Sequence, residues 1–182
     1  MTRYDAALAT ARRGWALTAT ALIGLAGVYV RALVFTPVDV AQGPAQKIFY
    51  VHAPAAWAAL LGFAVTGVLS VFYLQSRSLK LDMVAAASAE VGVAFGVVLL
   101  TTGPIWGKAV WGAWWTWDAR LTSTLFLFLL FLGYLVLRGA VIDLETRARY
   151  SAVVGVLAIV LVPFIYLTVY MFRTHHPDPV VL

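Results

Sequence analysis

The chain has 182 residues, of which 63% are hydrophobic and only 12% are charged. A soluble domain usually carries about 25% charged residues, so a water-soluble globule of this size is excluded and the excess apolar surface must face lipid. The net charge of +5 does not indicate a nucleic-acid partner, because no basic patch interleaved with aromatic side chains stands on a soluble element. Cysteine is absent, which excludes disulfides, thiolate metal sites and iron–sulfur clusters.

Five apolar segments follow one another along the chain, and each is long enough to cross a hydrocarbon core of about 30 Å as a helix. Backbone polar groups in lipid must be satisfied within their own segment, so we predict helices. The predicted spans are residues 14–34, 54–73, 83–102, 121–137 and 150–172. The sequence therefore predicts an all-α, polytopic membrane helix bundle in a single domain, with about five transmembrane helices and an interfacial tryptophan-rich segment.

Three residues within these spans have their own structural meaning. Pro54 is predicted in the first turn of the second span, where its missing N–H would have no partner. Pro163 predicts a kink in the fifth span. Glu90 is an ionisable group inside the third span, and such a group is either functional or a neutral hydrogen-bonding side chain. We assign Glu90 no site role.

The loops between the spans alternate in charge. One set is richer in basic residues and carries Arg3, Arg12, Arg13, Arg77, Lys80, Arg138, Arg147 and Arg149. The other set, including segment ends, carries Arg31, Lys47, Lys108, Arg120 and Arg173. Because cytoplasmic loops are richer in Lys and Arg, we predict a cytoplasmic N-terminus and external loops at residues 35–53, 103–120 and 173–182.

All three histidines fall in the predicted external loops, His52 in the first and His175 and His176 in the last. Neutral imidazole is a common ligand of haem iron, so two chain-distant histidine sites on one membrane face are a natural pair of axial ligands. The alternative is that each histidine is only a polar anchor at the membrane interface.

The middle external loop concentrates tryptophan, because five of the seven tryptophans lie within residues 106–117. If this stretch is helical, Trp111, Trp114, Trp115 and Asp118 share one face, which forms an aromatic plate ending in a carboxylate. A planar apolar ligand can lie against such a plate. The alternative is the aromatic belt common at membrane interfaces. The density and spacing of these tryptophans favour a ligand platform.

Three sequence segments resemble a known family. Residues 111–118, WGAWWTWD, match the W-G-x-W-W-x-W-D motif of haem-handling membrane proteins. Residues 50–57, YVHAPAAW, and residues 173–177, RTHHP, are similar to two further segments of one branch. On these residues the chain resembles the cytochrome c maturation protein C family (CcmC, haem exporter protein C) over nearly its whole length.

The resemblance implies a function in c-type cytochrome biogenesis. Members of this family are multi-pass proteins of the cell inner membrane that bind haem b non-covalently and transiently at the external, periplasmic face. They present it to the haem chaperone CcmE and work with the ABC-transporter subunits CcmA and CcmB and the small subunit CcmD. The implied role is haem delivery and not metabolic catalysis, with at most a lyase-like attachment of haem to the chaperone.

The resemblance also implies the axial ligands. His52 is the first ligand, and His176 is the second because the family places its histidine directly before proline, with His175 as the alternative. Family members usually carry a sixth span after this last external loop, and the present sequence ends at Leu182. We therefore expect the sequence to be a portion of a longer chain or a short variant.

The remaining site residues are implied in the same way, as a haem platform and its charged rim. The platform tryptophans are Trp111, Trp114, Trp115 and Trp117. Asp118 closes the motif, with Arg120 or a chaperone group as its partner. Lys47 and Arg120 are the basic residues that can pair with haem propionates.

Two other classes of protein remain as alternatives. A b-type cytochrome subunit would keep its haem for electron transfer to quinone, but such subunits usually place the ligating histidines within spans, whereas all three histidines here lie in or beside loops. A purely structural membrane scaffold would use the tryptophans as belt residues and the histidines as anchors, and it would bind no pigment.

Overall fold

The computed structural model of the chain describes residues 3–174, with side chains described from residue 10 onward. Within that range the chain is almost entirely helical and contains no strand. The helices are α1 (Arg3–Phe35), α2 (Phe49–Ser76), α3 (Leu79–Trp111), α4 (Ala119–Ala140), α5 (Leu144–Ile159) and α6 (Leu161–Met171). A short 3₁₀ helix, Pro44–Ile48, precedes α2.

Five helical segments are long and apolar enough to cross a membrane. They are Thr10–Phe35, Pro44–Ser76, Leu79–Trp111, Ala119–Ala140 and Leu144–Met171. The prediction of an all-α, polytopic membrane protein with about five spanning helices is confirmed. The third helix continues to Trp111, beyond the predicted end of its span at residue 102, so the first part of the tryptophan-rich segment is helical.

The chain divides into two compact units, residues 1–50 and 51–182. In the first unit, α1 is followed by a turn built on Asp39, whose carboxylate accepts hydrogen bonds from the backbone N–H groups of Ala41 and Gln42. The 3₁₀ helix then begins at Pro44. The Lys47 ammonium donates to the Leu33 carbonyl over 2.5 Å, which ties the 3₁₀ helix to the end of α1.

In the second unit, the helices pack around an aromatic core. The rings of Phe63 on α2 and Phe131 on α4 stack with centroids 4.1 Å apart, beside the buried Leu127 and Tyr134. A Cβ atom at Gly62 would lie 2.9 Å from a backbone oxygen of α3, so only glycine permits this approach of α2 and α3. Close backbone packing of this kind replaces the hydrophobic driving force that lipid does not supply.

The two prolines that the sequence placed inside predicted spans behave differently. Helix α5 ends at Ile159 and α6 begins at Leu161, as the predicted kink at Pro163 requires, because proline removes the hydrogen bond to the Ile159 carbonyl and its ring crowds that group. The placement of Pro54 in the first turn of a helix is wrong. Helix α2 begins at Phe49, because the 3₁₀ helix runs directly into it, so Pro54 lies inside the helix.

A buried ion pair joins α3 and α4 at the end of the second unit that the charge pattern predicts to be cytoplasmic. Arg138 donates to both carboxylate oxygens of Asp82, over 2.6 and 2.9 Å. Its guanidinium carbon also lies 5.7 Å from the ring centre of the buried Tyr134. This pairing was not visible in the sequence, where Arg138 counts only as a loop charge.

Candidate functional site

A cavity lies at the opposite end of the second unit, where α2 and α4 begin and α3 and α6 approach their ends. Its polar and aromatic wall contains His52, Trp106, Trp111, Trp115 and Arg120. Its apolar wall contains Ala56, Leu60, Leu99, Leu100, Pro104, Leu121 and Ile165. The space between these walls, counting the open mouth, is about 630 Å³. An apolar, aromatic-lined cleft with a few convergent polar groups is typical of a small-ligand site.

His52 lies in the first turns of α2 and is 8% exposed. Its Nδ1 atom is 3.1 Å from the hydroxyl oxygen of Thr102 on α3. The Trp106 ring lies nearly parallel to the imidazole, with an angle of 19° between the planes and centroids 6.5 Å apart. The imidazole that the sequence singled out therefore forms part of an aromatic-lined cavity.

The tryptophan-rich segment is not one continuous helix, so the predicted shared face of Trp111, Trp114, Trp115 and Asp118 is wrong. Helix α3 ends at Trp111 because Gly112 adopts the left-handed conformation (φ 78°) that terminates helices. The Lys108 ammonium donates to the Gly112 carbonyl over 2.9 Å and stabilises this end. Residues 112–118, called the 112–118 loop below, then cross without helical structure to α4.

Asp118 is the N-cap of α4. One carboxylate oxygen accepts hydrogen bonds from the backbone N–H groups of Arg120 and Leu121, each over 3.0 Å. The other accepts from the Thr116 hydroxyl over 3.0 Å. Within the described residues, the backbone N–H of Arg120 is thus one donor to Asp118, and the alternative of a chaperone group stays a prediction. The last residue of the motif anchors the 112–118 loop to the start of α4.

The structure separates the tryptophans into two groups. Trp111 and Trp115 line the cavity, whereas Trp114 and Trp117 are 60% and 77% exposed and are not part of the cavity wall formed by the described residues. Trp117 instead packs its ring at 5.9 Å from Trp115, edge to face. The platform role of Trp114 and Trp117 stays a prediction.

Trp106 is a site residue that the sequence reasoning missed. It is 6% exposed, faces His52, and meets Trp111 edge to face with centroids 5.1 Å apart. It lies outside the W-G-x-W-W-x-W-D motif. The signal that could have found it is its position one turn after Thr102 on the same helix face.

Two hydrogen-bond donors in the cavity wall have no partner among residues 10–174. They are Nη1 of Arg120 and the indole Nε1 of Trp115, and both atoms are buried. The Arg120 guanidinium carbon also lies 6.0 Å from the ring centre of Tyr166. A buried donor without an acceptor costs about 1–3 kcal/mol, and more when it is charged. The cavity is therefore suited to a ligand that brings anionic oxygen atoms into an apolar, aromatic surrounding.

Three predicted site residues are not part of this description of the cavity. His175 and His176 lie outside the described residues, so the assignment of the second axial ligand stays a prediction. Lys47 belongs to the first unit, where its ammonium bonds the Leu33 carbonyl, and its pairing with a propionate also stays a prediction.

Comparison with known proteins shows which family the chain resembles. A family model described as "Heme exporter protein C" matches residues 2–182. The chain is 38% identical to the heme exporter protein C of Bradyrhizobium diazoefficiens over 162 residues, which is 89% of this chain and 61% of that protein. It is 36% identical to the Haemophilus influenzae protein of that name over 155 residues, 85% of this chain and 62% of the relative.

The heme exporter protein C of Escherichia coli is 35% identical over 142 residues, 78% of this chain and 58% of that relative. The chain thus spans about three fifths of the length of these curated relatives.

Proposed function

The chain belongs to the heme exporter protein C family, and on that premise we propose that it binds haem at the external face of the membrane and hands it on for c-type cytochrome biogenesis. The single observation that carries the proposal is the cavity at one end of the bundle. It joins His52, three tryptophans and an Arg120 donor that has no acceptor within residues 10–174. Haem is here the cargo, and the protein is its temporary holder.

The chemistry of the cavity fits haem group by group. A porphyrin is a large, flat, apolar ring, and the walls formed by Trp106, Trp111 and Trp115 offer stacking and dispersion contacts to such a ring. The imidazole of His52 supplies a nitrogen ligand for iron. The propionates are carboxylates, and Nη1 of Arg120 with Nε1 of Trp115 would donate to them as charge-assisted and neutral hydrogen bonds.

Release is as much a part of this role as binding. The chain has no cysteine, so haem cannot be fixed covalently through thioether bonds. The second axial position would be filled by His176, or by His175, from the external tail. We propose that the periplasmic chaperone CcmE takes over the iron by ligand exchange at the cavity mouth. In this proposal CcmA, CcmB and CcmD complete the inner-membrane complex, and the N-terminus is cytoplasmic.

The first experiment tests His52 as an iron ligand. The full chain is purified with its haem, and visible spectra are recorded for the parent and for His52→Ala. We expect the variant to lose the six-coordinate, low-spin spectrum and most of its haem, and we expect added imidazole to restore the spectrum by occupying the vacated position. A variant that keeps the parent spectrum without imidazole overturns the ligand assignment.

The second experiment separates delivery from retention. The haem-loaded protein is mixed with haem-free CcmE, and haem on each partner is followed by absorbance after the two are separated. Transfer to CcmE supports the proposed function. Haem that is reduced by quinol but never leaves the chain would instead identify an electron-transfer subunit. A folded protein that carries no pigment from haem-replete cells would identify a structural scaffold.

A further inference from the structure

Several residues of helix α3 contact the His52 ring, and the Leu99 backbone also makes a hydrogen bond with the imidazole. Its Nδ1 atom lies 3.1 Å from the Thr102 hydroxyl oxygen. A Cβ atom on Gly103 would lie 3.1 Å from Cε1 of His52, so the α3 backbone closely approaches the edge of the ring. Trp106 covers one face of the imidazole at a centroid distance of 6.5 Å. These contacts define both the position and the plane of the imidazole.

The hydrogen bonds around Thr102 favour one tautomer of His52. The Thr102 hydroxyl donates its single proton to a backbone carbonyl of α3, that of Val98 at 2.7 Å, with the Leu99 carbonyl at 3.5 Å. A hydroxyl oxygen whose proton is already donated can only accept from the imidazole. This arrangement favours the neutral ring with its proton on Nδ1, which leaves the lone pair that binds a metal on Nε2.

We propose that Thr102 is a positioning residue for haem, because its hydroxyl holds His52 in the Nδ1–H tautomer that presents Nε2 to iron. The inference rests on the proposed function, since it takes His52 as an iron ligand. Within the described part of the chain, Thr102 does not belong to the cavity wall, so it acts on the cargo only through His52. A hydrogen bond from the distal nitrogen of a ligating histidine fixes the tautomer and increases ligand basicity.

The chain offers closely matched variants for the test. Thr102→Val keeps the shape of the side chain but removes the acceptor, and Thr102→Ser restores the hydroxyl. Thr101→Val is the control, because the exposed neighbouring threonine makes the same kind of bond, to the carbonyls of Val97 and Val98, on another face of α3. Each variant is prepared as the full chain in lipid nanodiscs, once without haem and once loaded with haem.

Two readouts are taken from each variant. Nitrogen-15 NMR of histidine-labelled, haem-free protein reports the tautomer of His52, whose signals are identified by their absence in His52→Ala. The rate of haem loss to an excess of apomyoglobin reports how firmly iron is held. For Thr102→Val we expect the ratio of Nε2–H to Nδ1–H tautomers to rise about fivefold. We expect haem loss to become about tenfold faster. Thr102→Ser and Thr101→Val should match the parent in both readouts.

The inference is overturned if folded Thr102→Val keeps the parent tautomer, or if its tautomer changes while the rate of haem loss does not. Should Thr102→Val not fold, Gly103→Ala and Thr102→Ala take its place. The new Cβ of Gly103→Ala contacts Cε1 of His52 and tests only the packing of the ring, so the Thr102 hydroxyl is then tested by Thr102→Ala, in which an unchanged tautomer or an unchanged rate of haem loss overturns the inference.

Failure of the proposed function would look different. In that case the haem spectrum does not change in His52→Ala. Failure of the present inference instead gives a haem spectrum that depends on His52, with a tautomer or a rate of haem loss that does not respond to Thr102→Val.

Discussion

The two ends of α4 each carry an arginine in aromatic surroundings, and the protein treats them in opposite ways. Arg138 makes a bidentate ion pair with Asp82 and lies beside Tyr134. Arg120 lies beside Tyr166 in a similar manner, but its Nη1 has no acceptor among the side chains and backbone that the structure describes. A charge in a medium of low dielectric constant needs a partner. This difference indicates that Arg138 stabilises the fold, whereas Arg120 has a free donor atom for a partner from outside the described residues.

The largest effect that this comparison predicts is on stability at the Arg138 end. Arg138→Ala leaves Asp82 buried without a countercharge, and we expect the free energy of unfolding to fall by about 3–5 kcal/mol. Chemical unfolding in detergent micelles, followed by circular dichroism, measures the loss.

The double variant Asp82→Leu with Arg138→Met is the control, because it replaces the whole pair by apolar side chains. It should recover most of the lost stability. A double variant that is as unstable as Arg138→Ala would contradict the view that the loss comes from an uncompensated charge.

At the Arg120 end we expect a substitution to weaken haem binding without lowering the stability of the haem-free protein. Arg120→Met removes a charged group with a donor atom that has no acceptor among residues 10–174, so the haem-free protein should be as stable as the parent or slightly more stable. Its haem should be lost about tenfold to a hundredfold faster, because a hydrogen bond to a charged group contributes about 1.5–3 kcal/mol. Thermal unfolding without haem and haem transfer to apomyoglobin are the two measurements.

Arg120→Lys sharpens this test, since lysine keeps the charge but lacks the two-pronged guanidinium. Its rate of haem loss should lie between those of the parent and Arg120→Met. If Arg120→Met instead destabilises the haem-free protein as strongly as Arg138→Ala does, the two arginines are alike and the comparison fails.

The N-cap residues at the two ends of the second unit extend the comparison, with smaller expected changes in stability. At the cavity end, Asp118→Ala removes the N-cap of α4 and should cost about 1 kcal/mol of stability. It should also loosen the 112–118 loop, which would appear as a change in tryptophan fluorescence. Asp118→Asn retains an acceptor for the backbone N–H groups and should remain close to the parent. If the two substitutions lowered stability equally, the loss of the N-cap hydrogen bonds would not be its cause.

The smallest effect is expected at Asp143, the N-cap of α5 at the other end. The pKa of the exposed Asp143 carboxyl lies below its ordinary value. The main cause is a hydrogen bond from the Thr146 hydroxyl, and a hydrogen bond from the Thr146 backbone N–H adds to it. A carboxyl with a lowered pKa in the folded state stabilises the fold above its unfolded pKa, and that contribution is lost as the pH falls through the folded pKa.

The measurement is thermal stability as a function of pH for the parent and for Asp143→Asn, which cannot titrate. The parent should lose slightly more stability than the variant on acidification below the ordinary carboxyl range. Parallel pH profiles would contradict a role for this cap.

Composition and apolar run lengths were enough to establish the membrane fold, because no other environment accepts that much hydrocarbon and because spanning segments must be helical. The sequence also indicated the family, since the motif at residues 111–118 is specific. It singled out His52 as a candidate site residue, and this residue lies in the cavity wall. These properties are local or compositional, so they need no knowledge of which residues meet in space.

The tertiary structure alone decided how those residues are used. It ended α3 at Gly112, directed Trp111 and Trp115 to the cavity while leaving Trp114 and Trp117 exposed, and brought Trp106 to the cavity wall. It also paired His52 with Thr102 across fifty residues of sequence, and Asp82 with Arg138 across fifty-six. Helical periodicity could not predict these outcomes, because a left-handed glycine resets the direction of the side chains that follow it. Hydrogen bonds between helices depend on a packing register that no single segment encodes.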